Sequence, residues 1–502
     1  MPSSSNVPHD VSKPRSAAHD VNTARVARHL PHQMRTTVFR VVFWATFCLA
    51  TGILPVLALS SLMPFLNMVT IPLFAGLALC LFYLMPCLAY LTLSQTDPPE
   101  HVRLPFLPAP WDWKLCLQVN LLVFKWIRVA FRVIPPVVVD WCVMRVVEAK
   151  DVNDPRRMTR RDVSYDNTQP TKRLDVYRAQ PRQREGKNDS DQVSLAFAIR
   201  QVAQSMTSDS DEFITPVYTN RDLRTLVERP VTLAPIIIFI PSPHLGPLTQ
   251  SKWMYESLGR NLASLGYTVV IPNVTRYPDG RTRDMVGDVR KVMRWTERHA
   301  AEWSGDPNRI WLAGHSLGAH LALLTVLQEA VVDSRENFLA QYGDDGQMSN
   351  GLRKLRVYEP EVEIPQVAGL ILLSPVCDVN EQIVSEASRG AAHLSKLRRI
   401  LGPTHKTAMF HSPAHILHAS RNVVDPGLLP PKVLFIHGGL DEEVHHSQSE
   451  MMKEMMRGVG VLDAKCRVYP IGHVDVMTAL MTGLEDPFSE QILEELTSFT
   501  AS

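Results

Sequence analysis

The stretch SGDPNRIWLAGHSLGAHLALLTVL, residues 304–327, decides the reading of the whole chain. RIWLA (309–313) is a short apolar run of the kind that forms a buried strand, and LGAHLALLTVL (317–327) is a longer run rich in helix formers. Between them stands Gly314-His315-Ser316-Leu317-Gly318. A serine placed on a sharp strand-to-helix turn needs small neighbours, because the backbone bends where a Cβ would collide. The start of the following helix adds a dipole that favours a developing oxyanion. An ordinary tight turn has the same outline, so the residues that follow must decide.

Outward from this turn, strand-like and helix-like segments alternate, which predicts a largely parallel sheet wrapped by helices. The candidate buried strands are Ile236–Ile240, Thr268–Pro272, Arg309–Ala313, Gly369–Leu373 and Lys432–His437, with Lys465–Tyr469 after them. Amphipathic stretches fall at 251–265, 284–301, 317–329, 446–457 and 487–498. Polar insertions are expected at about 180–230 and 333–365, and residues 378–428 are placed to form a cap.

An activated serine needs a carboxylate and a histidine. In this chain order they are expected at the ends of later strands. Lys432–His437 runs into Gly438-Gly439-Leu440-Asp441, which puts Asp441 where the acid belongs. Glu442 and Glu443 are neighbours better read as solvated turn charges. Lys465–Tyr469 runs into Pro470-Ile471-Gly472-His473, which puts His473 where the base belongs. Of its rivals, His437 reads as a structural strand end, while His445 and His446 open a helix. One oxyanion donor is expected from the backbone N–H of Leu317. The other is expected after Ile236–Ile240, where the loop reads Pro241-Ser242-Pro243-His244-Leu245-Gly246. Two prolines remove two N–H groups there, leaving Ser242 and His244 as candidates.

The rest of the chain has a different composition. Of its 502 residues, 41–93 contain no Asp, Glu, Lys or Arg. One membrane crossing takes ~20 residues, so this run predicts a two-helix hairpin over 35–95 that turns near Met63–Asn67. Residues 1–34, rich in Ser, Pro, His and Arg, read as a disordered basic tail. Basic residues flank both ends of the apolar run, which predicts a cytosolic catalytic region. The sequons at Asn188 and Asn273 would then go unused. Within 96–150, Lys114, Gln118, Lys125, Arg128 and Arg132 fall in an arc of ~80°, predicting an amphipathic helix in the membrane interface over 111–134 that Pro135-Pro136 ends. Residues 151–502 would hold the catalytic fold.

A net charge of +1 gives no pull toward nucleic acid. The 7 cysteines show no paired or CxxC spacing, which argues against a disulfide framework and against zinc. No cofactor or metal is required by this chemistry.

These motifs resemble the isoprenylcysteine methylesterase group of α/β-hydrolases. The resemblance runs from about residue 160 onward, through LDVY (174–177), RYPDG (276–280), DMVGDV (284–289) and SGDPNRIWLAGHSLGAH (304–320). HSPAHIL (411–417), HGGLDEEV (437–444) and YPIGHVDVM (469–477), with Asp486-Pro487 after it, complete it. It implies an α/β-hydrolase fold with Ser316, Asp441 and His473 as the triad, N-terminal membrane helices, and a location in the endoplasmic reticulum or Golgi. Two departures border the expected acyl pocket: Pro241-Ser242-Pro243 replaces an HGG segment, and Asn273-Val274-Thr275-Arg276 replaces a DYR-like one. The implied function is a membrane-anchored serine carboxylesterase acting on a lipophilic ester, by resemblance a prenylcysteine methyl ester. The expected partners are the bilayer and that ester. Alternatives are a lipid or acetyl-ester hydrolase with the same triad, and a catalytically silent scaffold.

Overall fold

The structure, a computed structural model, describes residues 41–42, 44–93, 113–150, 159–180, 233–242, 252–277, 279–342, 357–358, 360–392, 394–401, 405–422, 424–481 and 487–501, without the side chains of 90–93 and 146–150. The predicted basic tail, His244 and nearly all of the 180–230 insertion lie outside them. The chain forms two compact units, one of residues 1–125 with 387–396, the other of 126–386 with 397–502.

In the first unit, an apolar helix α1 (Trp44–Ser60) is followed by a turn and by α2 (Asn67–Leu93). Within α2, Asn67–Ala89 is long and apolar enough to cross a membrane, with mean hydropathy 2.2 and 6% of the window buried. The next helix, α3 (Trp113–Lys150), begins in this unit. Asn120 on α3 donates from Nδ2 to the carbonyl of Phe82 on α2 at 2.8 Å, and Cys116 and Val119 are buried beside it. Gly390 (φ +73°) brings its backbone against Gln118 within the same unit.

The second unit is built on one eight-stranded sheet. Its strands are β1 (Thr159–Ser164), β2 (Arg173–Tyr177), β3 (Ala234–Ile240), β4 (Thr268–Pro272), β5 (Gly305–His315), β6 (Gly369–Leu373), β7 (Lys432–Gly438) and β8 (Asp463–Tyr469), in the spatial order β1-β2-β4-β3-β5-β6-β7-β8. β2 pairs antiparallel with β1 and β4, and every pairing from β3·β4 through β7·β8 is parallel. Parallel strands are covered on both faces and so read as continuous apolar runs. β3, Ala-Pro-Ile-Ile-Ile-Phe-Ile, is the clearest case. Ile236, Ile238 and Ile240 enter the core on one face, and Ile237 and Phe239 enter the core on the other, the period of two that a strand imposes.

The flanking helices are α4 (Glu256–Ser264), α5 (Thr282–His299), α6 (Leu317–Tyr342), α7 (Val379–Ser388), α8 (Leu397–Leu401), α9 (His405–Phe410), α10 (Pro413–Ser420), α11 (Ser447–Gly458), α12 (Asp475–Thr478) and α13 (Ser489–Ala501). Met285 and Val289 of α5 share the first core with Leu321 and Leu324 of α6, while Leu258 of α4 and Phe499 of α13 share the second.

Three expectations are corrected. The helix over 111–134 does not end at Pro135-Pro136, because α3 passes through both prolines to Lys150. Interior prolines remove helical N–H donors and crowd the preceding turn, and packing on the sheet offsets that cost. Val133 and Val137 are buried in the second core, Arg260 pairs with Asp140, and Arg132 pairs with Asp475. Arg132, expected on the basic face toward headgroups, is therefore held within the second unit. Second, the irregular stretch expected from 333 begins later, since α6 continues to Tyr342. Third, β1 and β2 are additional strands. β1 is a polar edge strand (Thr-Arg-Arg-Asp-Val-Ser) with an irregular register between Arg160 and Val163 and Asp162 at φ +57°. Charged residues are usual on an edge and hide its apolar alternation.

The Asn273–Arg276 segment that departs from the DYR-like pattern has a structural job. Buried Lys172 bonds both Asp288 and Thr275, and Asp288 Oδ2 also accepts from Thr275 N at 2.7 Å and Thr275 Oγ1 at 2.6 Å. The Tyr165 hydroxyl donates to the carbonyl of Asn273 at 2.7 Å. Lys172→Met leaves the buried Asp288 carboxylate without its cation. It should lower stability by about 3–5 kcal/mol, read as a fall in the urea midpoint.

Candidate active site

β5 ends at the turn the sequence singled out. Ser316 has φ +55°, the left-handed region where an L-residue is strained. Two glycines make that turn possible: a Cβ on Gly314 would lie 2.6 Å from Ala319 N, and a Cβ on Gly318 would lie 2.2 Å from the carbonyl oxygen of Ile240. Ser316 N–H donates to Leu373 O at 2.8 Å, and its carbonyl accepts from His320 N–H at 3.0 Å in the first turn of α6. Leu317, the first residue of α6, is fully buried.

The loops after β7 and β8 converge on the same end of the sheet. Asp441 Oδ2 accepts from His473 Nδ1 at 2.6 Å, while its Oδ1 accepts the backbone N–H groups of Glu443 at 2.8 Å and Val444 at 2.9 Å. Burial alone would raise the Asp441 pKa. The charge and hydrogen bonds of His473 and His437 outweigh it and hold the carboxyl well below the usual range. Glu443 reaches only to 4.0 Å from His473 Nε2 and Glu442 is exposed, so Asp441 is the carboxylate that engages the imidazole.

His473 is tied to the serine turn through the residue before Ser316. His315, fully buried, donates from Nε2 to the carbonyl of His473 at 2.9 Å, and the two rings lie 4.7 Å apart. Arg132 holds Asp475, whose Oδ2 accepts from the N–H of Gly472 at 2.9 Å, which fixes the His473 loop from its other side. Ser316, Asp441 and His473 are 4%, 5% and 5% exposed, so charge developing there is poorly screened by water.

Three further residues contribute to the site without a local sequence signal. His315 fills only the x position of the turn motif. His437 was read as a strand end, and the structure adds that its Nε2 lies 2.9 Å from Val444 O and 3.3 Å from Asp441 Oδ2 while its Nδ1 meets Ser449 Oγ at 2.7 Å. Tyr255 lies in a short helical turn, and its buried hydroxyl accepts the N–H of Ser242 at 3.3 Å. Burial pushes that hydroxyl up to about 12, so it stays protonated. The N–H of Ser242 is thus turned to Tyr255. Ser242 Oγ is buried with no hydrogen-bond partner among the described residues.

Burial pushes His315 down to about 3 and His320 down to about 4, so both rings are neutral in the fold. The unfolded chain protonates them near 6.5. It therefore binds more protons below that value, and stability present above pH 6.5 is lost as the pH falls toward 4. Urea midpoints measured from pH 7 to pH 4 should fall, with a shallower slope in His320→Gln.

The strand order, the strained serine turn and the converging loops give the second unit the architecture of an α/β-hydrolase fold. In sequence the chain is similar to the isoprenylcysteine methylesterases. A family model described as BD-FAE matches residues 232–456. The chain is 35% identical over 101 residues to a protein named "Probable isoprenylcysteine alpha-carbonyl methylesterase ICME" of Oryza sativa subsp. japonica, covering 19% of this chain and 24% of that one. It is 31% identical over 104 residues to isoprenylcysteine alpha-carbonyl methylesterase ICME of Arabidopsis thaliana, covering 20% and 22%. It is 30% identical over 94 residues to esterase LipQ of Mycobacterium tuberculosis, covering 19% and 22%. The matched stretch thus spans about a quarter or less of these relatives. Among solved structures, esterase B from Lactobacillus rhamnosis aligns with a TM-score of 0.43 at 17% identity, over 73% of this chain and 93% of that one.

Proposed function

We propose that the chain is a membrane-anchored serine carboxylesterase that hydrolyses a lipophilic ester. The observation that carries the reading is the 2.6 Å Asp441–His473 bond, on loops that end adjacent strands beside a serine at φ +55°. Ser316 Oγ gives its proton to His473 Nε2 and adds to the ester carbonyl. The carbonyl electron pair moves to oxygen, where Leu317 N–H at the start of α6 receives it. Collapse of this intermediate expels the alcohol, which takes the proton from His473. Water then enters by the same steps, releasing the acid and restoring Ser316. Asp441 keeps the imidazole in the tautomer that accepts at Nε2.

The second oxyanion donor is where this chain differs. With the Ser242 N–H occupied by Tyr255, the buried donors at hand are the Ser242 hydroxyl and the Tyr255 hydroxyl, which accepts from Ser242 and keeps its own proton to give. His244 lies outside the described residues.

The substrate reading rests on two supports. The curated relatives include proteins named for prenylcysteine methyl ester hydrolysis. The apolar helices α1 and α2 suit a membrane hairpin that would keep the site near lipidic esters. A cytosolic orientation in the endoplasmic reticulum or Golgi goes with the hairpin, and glycosylation at Asn188 or Asn273 in cells would overturn it. Kinetics of the full chain against prenylcysteine methyl esters, long-acyl esters and short-acyl esters tests the substrate class. A prenylcysteine preference supports the reading, whereas an acetyl or long-acyl preference moves the chain to a lipid or acetyl-ester hydrolase.

One observation favours a second reading, a catalytically silent scaffold: the loop after β3 carries two prolines, and among its described residues the Ser242 N–H goes to Tyr255. Pro243→Gly, which restores a backbone N–H and keeps the Ser242 hydroxyl, should raise the turnover of an impaired esterase and leave a scaffold at zero.

A further inference from the structure

At the end of the sheet where the parallel strands begin, a cleft of about 470 Å³ is lined by Arg145, Thr159, Arg160, Arg161 and Trp303. Its position follows from register. Thr159 opens β1 opposite Tyr177, which pairs with Val269 near the start of β4, and Trp303 lies just before β5. Ser316 follows the other end of β5, so the cleft is separate from the ester chemistry.

Among the described residues, the charges around this cleft do not balance. Glu256 is bonded by Arg161 and Arg260, Asp140 by Arg260, and Asp162 and Asp175 both by Lys252. Arg145 and Arg160 are exposed, and neither has a carboxylate within ion-pair distance among the described residues. Each is instead stacked on an aromatic ring, Arg145 over Trp141 at 5.2 Å and Arg160 over Trp303 at 5.7 Å. Arg178 also lies over Trp303, at 5.9 Å, and gives an N–H to the carbonyl of Glu302 at 2.9 Å. Arg145 acts on Asp162 and Glu256 through its field, but Lys252 and Arg161 hold those carboxylates.

Every cation in the described lining is an arginine. The planar guanidinium presents paired donors that match the oxygens of a phosphate, and stacking on a ring holds the fork in place before a ligand arrives. Thr159 adds a polar residue to the wall, and Trp303, over which Arg160 and Arg178 both lie, adds aromatic surface. The volume has room for more than a bare tetrahedral anion. We propose that this cleft binds an organic phosphate, with the phosphate between Arg145 and Arg160 and the organic body against Trp303. That chemistry is shared by a phosphorylated lipid headgroup and by a soluble phosphate compound.

The test is calorimetric titration of the purified full chain in neutral detergent with inorganic phosphate, ATP and a short-chain, water-soluble phosphatidylinositol 4-phosphate. Saturable binding of at least one organic probe is expected, at least tenfold weaker in Arg145→Gln/Arg160→Gln and unchanged in Ser316→Ala. Tighter binding of the short-chain lipid identifies a headgroup site, and tighter binding of ATP identifies a soluble phosphate. Melting temperatures control for folding. Should the Gln pair unfold, Arg145→Lys/Arg160→Lys keeps the charge, loses the fork, and should still weaken binding. No saturable binding of either organic probe, or binding that both folded double variants leave intact, overturns the proposal.

Discussion

Ser316→Ala lowers kcat for ester hydrolysis by about four to six orders of magnitude if this serine is the nucleophile, while the protein keeps its melting temperature within a few degrees. The size follows from what is removed. Without the oxygen that forms the acyl-enzyme, His473 has no proton to take and the remaining catalysis comes from oxyanion donors and binding alone, about 10³–10⁴ over water in comparable triads. The fold should tolerate the change because the turn is held by other atoms: Ser316 N–H is bonded to Leu373 O, and Gly314 and Gly318 supply the close approach. KM should move much less than kcat, since the serine oxygen acts in the transition state. Steady-state kinetics with a neutral ester, beside a thermal melt, read both quantities.

Asp441→Asn should cost about four orders of magnitude in kcat, the loss that follows when the imidazole is held in the wrong tautomer. An amide nitrogen facing His473 Nδ1 would donate where the carboxylate accepts, which turns the imidazole proton to Nε2 and removes the base. The loss should not be rescued by raising the pH. In the native protein Asp441 is held well below the usual carboxylate range, so it stays charged through mild acid and the acid limb of kcat/KM belongs to another group. The double variant Ser316→Ala/Asp441→Asn should be no slower than Ser316→Ala by more than a few-fold, because the residues of a triad act as a unit. Additive losses would show that Asp441 supports the fold rather than the base.

How much of this was legible in the sequence depends on where each residue's partners lie. β3, β4, β6 and β7 are buried on both faces, so each is a run of apolar residues that reads without context. The turn at 314–318 was legible because its demand is local: a glycine on each side of a strained residue. β1 and β2 were hidden because their stability comes from across the sheet. Asp175 sits in the middle of β2 as a buried carboxylate, bonded to Lys252 77 residues later. α3 was cut short because Pro135-Pro136 is a local stop signal, while Val133, Val137 and Asp140 are held by partners more than 100 residues away in some cases, Arg260 being 120 residues from Asp140. The contribution of His315 could not be read at all, since its partner is a carbonyl 158 residues later. Sequence reasoning found the groups that carry chemistry and missed those that hold them in place.

The central claim is that Ser316 is a nucleophile activated by His473. The most direct test is labelling of the full chain in membranes with a fluorescent fluorophosphonate, comparing wild type with Ser316→Ala and His473→Ala. The reagent reports an activated serine and needs no knowledge of the ester. Strong labelling of the wild type that disappears in both variants is the predicted result. A folded wild type that does not label, or a Ser316→Ala variant that still does, would contradict it.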